Sequence, residues 1–206
     1  MSLFITFEGP EGAGKTTQIK KLAAYLESTQ QNVVLTREPG GTSISEAIRG
    51  ILLDTANKIM DDRAELLLYA AARAQHVREV ILPALGSDKT VISDRFSDST
   101  LAYQGYGRGL DIDLITKLNA IATEGLEPDL TILLDIDVKV GLQRVENIRL
   151  GFDRLEGEKL EFHEKVRQGF LSLANQNPNR IKVVSAEQTP DEIFAEIKMI
   201  VERAQV

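Results

Sequence analysis

The sequence predicts an α/β protein, an open sheet of five parallel strands with helices on both faces. Three observations lead there. Five short apolar segments rich in β-branched residues recur along the 206 residues, as strands buried on both faces do. Longer stretches with apolar residues three and four apart separate them, as amphipathic helices do. No repeat, low-complexity tract or linker interrupts the alternation, so residues 1–206 read as a single domain. In such sheets ligands bind at the carboxyl ends of the strands.

The elements follow in order. Leu3 to Phe7 is the first strand and ends at the turn Glu-Gly-Pro. A helix starts at Lys15, with Ile19, Leu22, Ala23 and Leu26 on one face. Val33 to Leu35 is the second strand, Arg37 to Thr42 the loop behind it, and Ser43 to Leu53 a helix. Asp61 to Leu85 reads as one long helix, with Asp61 or Asp62 as N-cap and Pro83 near its end. Thr90 to Ser93 is the third strand and runs into Asp94-Arg95-Phe96. Helices are expected over Asp98 to Gln104 and Asp111 to Thr123, with a flexible basic loop from Gly105 to Gly109 around Arg108. Leu130 to Leu134 is the fourth strand and ends in Asp135. A helix from Val138 breaks near Gly151, and another runs from about Glu158 to Gln176. Ile181 to Val184 is the fifth strand, and Pro190 to Arg203 the last helix, with Pro190 in its first turn.

Composition removes several classes. The chain has 24 Lys plus Arg against 31 Asp plus Glu, a net charge of -7. That balance argues against general nucleic-acid binding, so a polyanionic ligand must be held by locally placed cations and backbone N–H groups. There is no Cys, which excludes disulfides, thiolate zinc sites and cysteine nucleophiles. No basic leader and no apolar run of membrane-spanning length occurs, so a cytoplasmic protein without membrane association is expected.

Gly9-Pro10-Glu11-Gly12-Ala13-Gly14-Lys15-Thr16 fits G-x-x-x-x-G-K-[ST]. At average usage this pattern arises by chance in about one chain in a hundred of this length. Here it also has the required context, a strand before it and a helix after it. The glycines let backbone N–H groups curl around phosphates, and the helix N-terminus adds partial positive charge. Lys15 suits the β- and γ-phosphates, and the Thr16 hydroxyl suits Mg²⁺. The motif alone defines a P-loop nucleotide binder; no guanine signature of the N/T-K-x-D kind accompanies it.

Further candidates lie beside the same sheet edge. Arg37 and Glu38 follow the second strand and Arg95 the third, where arginines grip phosphate bidentately. Tyr69 and Arg73 are four apart on one helix face, so a ring and a guanidinium face one ligand. Thr100, Tyr103 and Gln104 share a face just after Arg95. His76 reads as an ordinary helix residue, and His163 has no assigned role.

These residues carry a resemblance. FEGPEGAGKTT, TREPGGT, YAAARAQH from Tyr69 to His76, DRFSDSTLAYQG and the DRLE segment from Asp153 resemble the thymidylate kinases, over essentially the whole chain. The resemblance implies a P-loop kinase architecture with a short lid at about residues 144–157. It implies transfer of the γ-phosphate of ATP to dTMP, with Mg²⁺ as cofactor and a homodimer as the assembly. By resemblance Gly9 to Thr17, Thr17 included, bind ATP, and Ser185-Ala186 frames the donor base. Arg95 holds the dTMP phosphate, with Arg37 and Glu38 near it. Tyr69 stacks on thymine where the family usually has Phe, and Arg73 addresses a thymine carbonyl. Thr100 and Gln104 lie along the nucleoside, Tyr103 lies against the sugar, and Glu11 contacts the 3′-hydroxyl region. With the homodimer that the resemblance implies, apolar residues beyond one stripe of the Asp61–Leu85 helix (Leu66, Leu67, Leu68, Val77, Val80 and Ile81) lead to the expectation that a neighbouring helix face packs against the second subunit.

The acceptor is an already ionised phosphate oxygen, so positioning and charge neutralisation carry the chemistry. The family's bacterial subclass supplies a cation to the transferring group from the lid. Arg144 and Arg149 are about 140° apart around a helix and cannot converge. Gly151 ends that helix, which leaves Arg149 and Arg154 as the candidates. For the magnesium-side carboxylate, Asp94 and Asp135 both end apolar strands; the resemblance favours Asp94, with Glu156 acting through water. The reading from a different class is a P-loop nucleotide-binding regulator without turnover.

Overall fold

The computed structural model describes residues 2–148 and 151–205. Five strands, β1 (Phe4–Glu8), β2 (Val33–Arg37), β3 (Thr90–Asp94), β4 (Leu130–Asp135) and β5 (Ile181–Ser185), form one sheet in the order β2-β3-β1-β4-β5. All neighbours are parallel. Each strand runs one or two residues past its apolar stretch. The ladder depends on backbone groups, so it continues into Glu8, Arg37, Asp94, Asp135 and Ser185 after the hydrophobic pattern stops. Register brings these polar ends level: Arg37 pairs with Asp94, Phe7 with Asp94, Glu8 with Leu133, and Asp135 with Ser185.

Side chains alternate across the sheet. On one face Ile5, Phe7, Ile132 and Val184 pack against α1 (Lys15–Ser28) and α9 (Pro190–Ala204) through Leu22, Leu26, Ile197 and Val201. A capping box at Thr189 and Glu192 starts α9. On the other face Leu133 and Ile181 meet α8 (Leu160–Gln176), while Phe4 and Val91 meet Val77, Ile81 and Phe96. The remaining helices are α2 (Ser43–Leu53), α3 (Asp62–His76), α4 (Leu82–Leu85), α5 (Ser97–Thr100), α6 (Ile112–Thr123) and α7 (Val138–Ile148). Among the described residues no helix is long and apolar enough to cross a membrane.

Three expectations need correction. The helix expected over Asp61–Leu85 starts where expected, with Asp61 capping the N–H groups of Arg63 and Ala64. It is then interrupted by a π-helical turn at Val77–Ile81, in which Leu82 N–H donates to the Val77 carbonyl. Pro83 lacks an N–H and its ring presses on the preceding turn; the wide turn ahead of it relieves that crowding. The helix expected to stop at Gln104 instead continues as a π-helical turn over Leu101–Gly107. Gly105 to Gly109 is accordingly no flexible loop. A Cβ on Gly107 would stand 2.7 Å from the Phe162 ring, and one on Gly169 2.8 Å from Tyr106, so these glycines serve close packing.

Close approach also seats the phosphate loop. Gly12 has φ 70°, and a Cβ there would collide with the Gly141 carbonyl; a Cβ on Gly141 would collide with the Glu11 carbonyl. The loop thus rests directly on α7. Gly141→Ala is expected to lower Tm by at least about 2–4 °C in thermal melts, because overpacking outweighs the gain in helix propensity. Gly50→Ala, in α2 with open space around it, is expected to raise Tm instead.

Candidate active site

Two adjoining cavities open at the carboxyl ends of the strands. One follows the phosphate loop from Glu11 to Thr17 and also meets Arg37, Asp94 and Arg144. The other lies behind it, lined by Tyr69, Arg73, Thr100, Tyr103 and Gln104. Glu11, Glu38, Arg49 and Arg95 line both.

The loop owes its shape to Gly9, Gly12 and Gly14, with φ of 134°, 70° and 86°, values that glycine adopts at little cost. Gly14 precedes α1 in a left-handed conformation, with no side-chain cap and no acidic residue in the first turn. The Lys15 and Thr16 N–H groups at the start of α1 are therefore available to an anion, while that of Thr17 donates to the Gly14 carbonyl. Lys15 folds back and donates to the Gly9 and Pro10 carbonyls at 3.1 and 2.9 Å. Burial and the neighbouring Arg95 push its pKa down, against Glu11, Asp94 and Glu8. Thr17 is exposed on the cavity, and Ala13 is buried beneath it. Arg144 donates to the Gly12 and Ala186 carbonyls at 3.4 and 3.3 Å. It joins the phosphate loop to the loop after β5, where Ala186 is buried and Ser185 exposed.

Arg95 joins the two cavities. Its backbone is left-handed, φ 72°. The guanidinium donates to the Gly9 carbonyl (3.1 Å), the Ser99 hydroxyl (3.1 Å), Glu11 Oε1 (2.7 Å) and the Tyr103 hydroxyl (3.0 Å). Tyr103 donates in turn to Glu11 Oε1 at 2.7 Å. Burial favours the protonated form of Glu11, but Arg95, Lys15 and Tyr103 outweigh it and lower its pKa to about 2. Beneath the turn, Glu8 Oε1 accepts the Phe96 and Ser99 N–H groups at 2.8 and 3.2 Å. Burial and the neighbouring Asp98 push the Glu8 pKa up to about 7.

The second cavity is built around a buried cation. Arg73 donates to Glu38 Oε2 (2.7 Å), Thr100 Oγ1 (2.9 Å), Asn119 Oδ1 (2.8 Å) and the Phe96 carbonyl (3.0 Å). Glu38 Oε1 meets His76 Nδ1 at 2.9 Å, and His76 Nε2 meets the Thr36 hydroxyl. His76 is thus part of an ion-paired cluster. Tyr69 lines the cavity, where burial raises its pKa. Gln104 donates through Nε2 to Glu65 Oε1 at 2.8 Å.

The sequence candidates fall unevenly on this frame. Arg37 lines the phosphate-loop cavity and donates through Nη2 to both carboxylate oxygens of Glu46 at 3.0 Å. Asp94 faces Thr16, whose hydroxyl lies 3.5 Å from Asp94 Oδ2. Both oxygens of Asp135 are taken by Arg167 at 2.7 and 2.9 Å. Glu156 lines the second cavity and accepts the Asp153 N–H; it does not line the phosphate-loop cavity. Arg149 lies outside the described residues. Arg154 lines neither cavity, because Nε donates to the Leu52 carbonyl at 2.7 Å and Nη2 lies 2.6 Å from Glu65 Oε2. Arg49, Asn119, Arg144 and Glu65 were not singled out as contributing to the site. Arg49 donates to the Pro39 carbonyl at 2.8 Å and lines both cavities.

Thr16 and Asp94 offer hard oxygen donors beside the phosphate loop, which suits Mg²⁺. Among the described residues there is no cluster of three His, Cys, Asp or Glu able to hold a metal. Mg²⁺ takes one or two protein ligands and completes its shell with phosphates and water, so these residues fit it.

A phosphate loop at the edge of a parallel sheet, with a second cavity joined to it through an arginine, defines a P-loop nucleotide kinase. The family model described as thymidylate kinase matches residues 7–197. A thymidylate kinase from Maridesulfovibrio salexigens is 55% identical, with 98% of this chain and 96% of that protein covered. One from Geotalea daltonii is 56% identical, with 93% and 92% covered. The solved thymidylate kinase of Ehrlichia chaffeensis is 39% identical, with 98% of both chains covered and a TM-score of 0.80. The chain belongs to the thymidylate kinase family.

The depressed pKa of Glu11 makes stability depend on pH in one direction. The group is ionised in the folded state down to about pH 2 and in the unfolded state only above the usual carboxylate range, near 4.5. Its contribution is complete above about pH 5 and is lost as pH falls toward 2. In denaturant titrations Glu11→Gln is expected to lose less stability than the parent between pH 5 and pH 3.

Proposed function

We propose that this chain transfers the γ-phosphoryl group of ATP to dTMP, giving dTDP and ADP, with Mg²⁺ as the cofactor. The observation that carries the reading is the shared wall between the two cavities. A donor phosphate in the loop and an acceptor phosphate on Arg95 would meet there, with the nucleoside of the acceptor reaching back to Tyr69 and Arg73. A dTMP phosphate oxygen forms the new bond to the γ-phosphorus, and the bond to the β,γ-bridging oxygen breaks. No general base is needed, because the acceptor oxygen is ionised.

The residues take roles by charge and place. Gly9 to Thr17, with Lys15, hold the donor phosphates, and Ser185-Ala186 frames the donor base. Thr16 and Asp94 would hold Mg²⁺, which would supply charge neutralisation on the donor phosphates. Arg95 and Arg37 receive the acceptor phosphate, and Glu11 and Tyr103 face the sugar. Tyr69, Arg73, Thr100 and Gln104 receive the base, with Glu38 fixing Arg73. The cation at the transferring group is assigned to Arg149, since Glu65 and Leu52 hold Arg154 away from the phosphate loop. A homodimer and a cytoplasmic location go with this reading. Leu67 of α3 and Leu114 and Ile121 of α6 remain exposed on two helices that pack together, and Ile121 is 75% exposed. That apolar face suits a second copy of the chain.

A panel of dTMP, dUMP, dCMP, AMP and GMP with ATP and Mg²⁺ tests the reaction. Product is expected with dTMP at the highest kcat/KM. ATP binding with no diphosphate product from any monophosphate would support the regulator instead.

Steady-state kinetics test the roles. Lys15→Met is expected to abolish turnover and leave the melting transition in place. Arg149→Ala is expected to lower kcat by about 10²-fold or more with little change in dTMP affinity. Near-normal kcat in Arg149→Ala would leave the charge to Lys15, Mg²⁺ and Arg95.

A further inference from the structure

Glu65 is a buried carboxylate, fully shielded from solvent in the first turn of α3. Oε1 accepts from Gln104 Nε2 at 2.8 Å and from Arg108 Nε at 3.3 Å. Oε2 accepts from Arg108 Nη2 at 3.1 Å and lies 2.6 Å from Arg154 Nη2. Arg108 is itself pinned by Glu158 Oε1 at 2.6 Å and lies over the Phe162 ring, 4.7 Å from its centroid. Two guanidinium groups thus face one carboxylate, and both are held from behind. Burial opposes the charge on Glu65, but the arginines and the Gln104 amide outweigh it and keep the pKa below its usual value.

An ionised carboxylate has no proton to donate. The end of the Gln104 amide that meets Glu65 must therefore be the –NH₂. Its carbonyl oxygen is left for the cavity that Gln104 lines. An amide is nearly symmetric in shape, so an untethered glutamine could present either end. In this site the tether removes the choice.

We propose that Glu65 is a positioning residue that sets base selectivity by locking the Gln104 amide with its carbonyl toward the base. The inference rests on the dTMP reading above. A carbonyl acceptor at that place takes a ring nitrogen that carries a proton, as N3 does in thymine and uracil. It opposes the lone pair on N3 of cytosine, and the unpaired acceptors then disfavour that base. Selectivity between keto- and amino-pyrimidines accordingly originates one residue behind the pocket wall. Arg108 and Arg154 contribute by keeping Glu65 an acceptor.

The test compares dTMP and dCMP as substrates of the parent and of Glu65→Gln, with saturating ATP and Mg²⁺. The neutral amide no longer dictates which end of Gln104 it meets. The ratio of kcat/KM for dTMP over dCMP is expected to fall about tenfold or more, chiefly through KM, and Glu65→Asp is expected to restore part of it. An equal loss on both substrates would mean a merely structural role and would overturn the proposal. If Glu65→Gln does not fold, Glu65→Gln with Arg154→Met removes one buried cation together with the charge, and the same ratio is read. The unaltered protein supplies an independent reading through the ¹⁵N-labelled Gln104 side chain. Its –NH₂ protons are expected to exchange slowly with water both with and without dTMP. Slow exchange appearing only on dTMP addition would place the –NH₂ against the base and overturn the proposal. Absence of dTMP turnover in the parent would count against the kinase reading and leave the amide measurement standing.

Discussion

The site depends on how one partly buried guanidinium, that of Arg95, is satisfied. A charge taken out of water must be paired and hydrogen-bonded. Arg95 finds its partners on three separate segments: the phosphate loop through Gly9 and Glu11, the following helix through Ser99, and the π-helical turn through Tyr103. The left-handed backbone at Arg95 turns the side chain across the loop. Glu8 then secures that turn from below by accepting the next N–H groups. Removing any of these supports would loosen both cavities together, because Arg95 belongs to the wall between them.

Charge is organised locally on a protein whose overall balance is acidic. Lys15, Arg37, Arg49, Arg95 and Arg144 converge on the phosphate-loop cavity, although the whole chain carries a net charge of -7. In the second cavity the logic differs. Arg73 and Glu65 are buried ions whose bonds are mostly to the protein. They fix the direction of the donors and acceptors that line this cavity. One end of the site is thus an electrostatic cradle, and the other a rigid hydrogen-bond template.

Much of this was legible in the sequence, for identifiable reasons. Strand positions followed from short apolar runs, and helix starts from the cap at Asp61 and the first-turn Pro190. The glycine-rich loop announced itself because its backbone conformation restricts residue type. The strand ends at Glu8 and Arg37 were missed because backbone bonding outlasts the apolar pattern. The π-helical turns at Val77–Ile81 and Leu101–Gly107 leave the helical spacing of apolar residues nearly unchanged, so periodicity could not reveal them. Residues whose role lies in a distant partner were also hidden. Arg154 meets Glu65, His76 meets Glu38, and Asn119 meets Arg73; nothing local marks these pairs. Pro83, whose missing N–H demands a local adjustment, was the one signal for the first of the two turns.

The most direct measurement of the central claim uses a probe that spans both cavities, adenosine and thymidine joined through a polyphosphate chain. Its binding is followed by calorimetry in the parent and in Arg95→Ala. The account predicts one probe per chain, displaced by dTMP and by ATP alike, with affinity lost by about 10²-fold or more when the shared arginine is removed. A probe that competes with only one of the two nucleotides, or that binds Arg95→Ala as tightly as the parent, would contradict it.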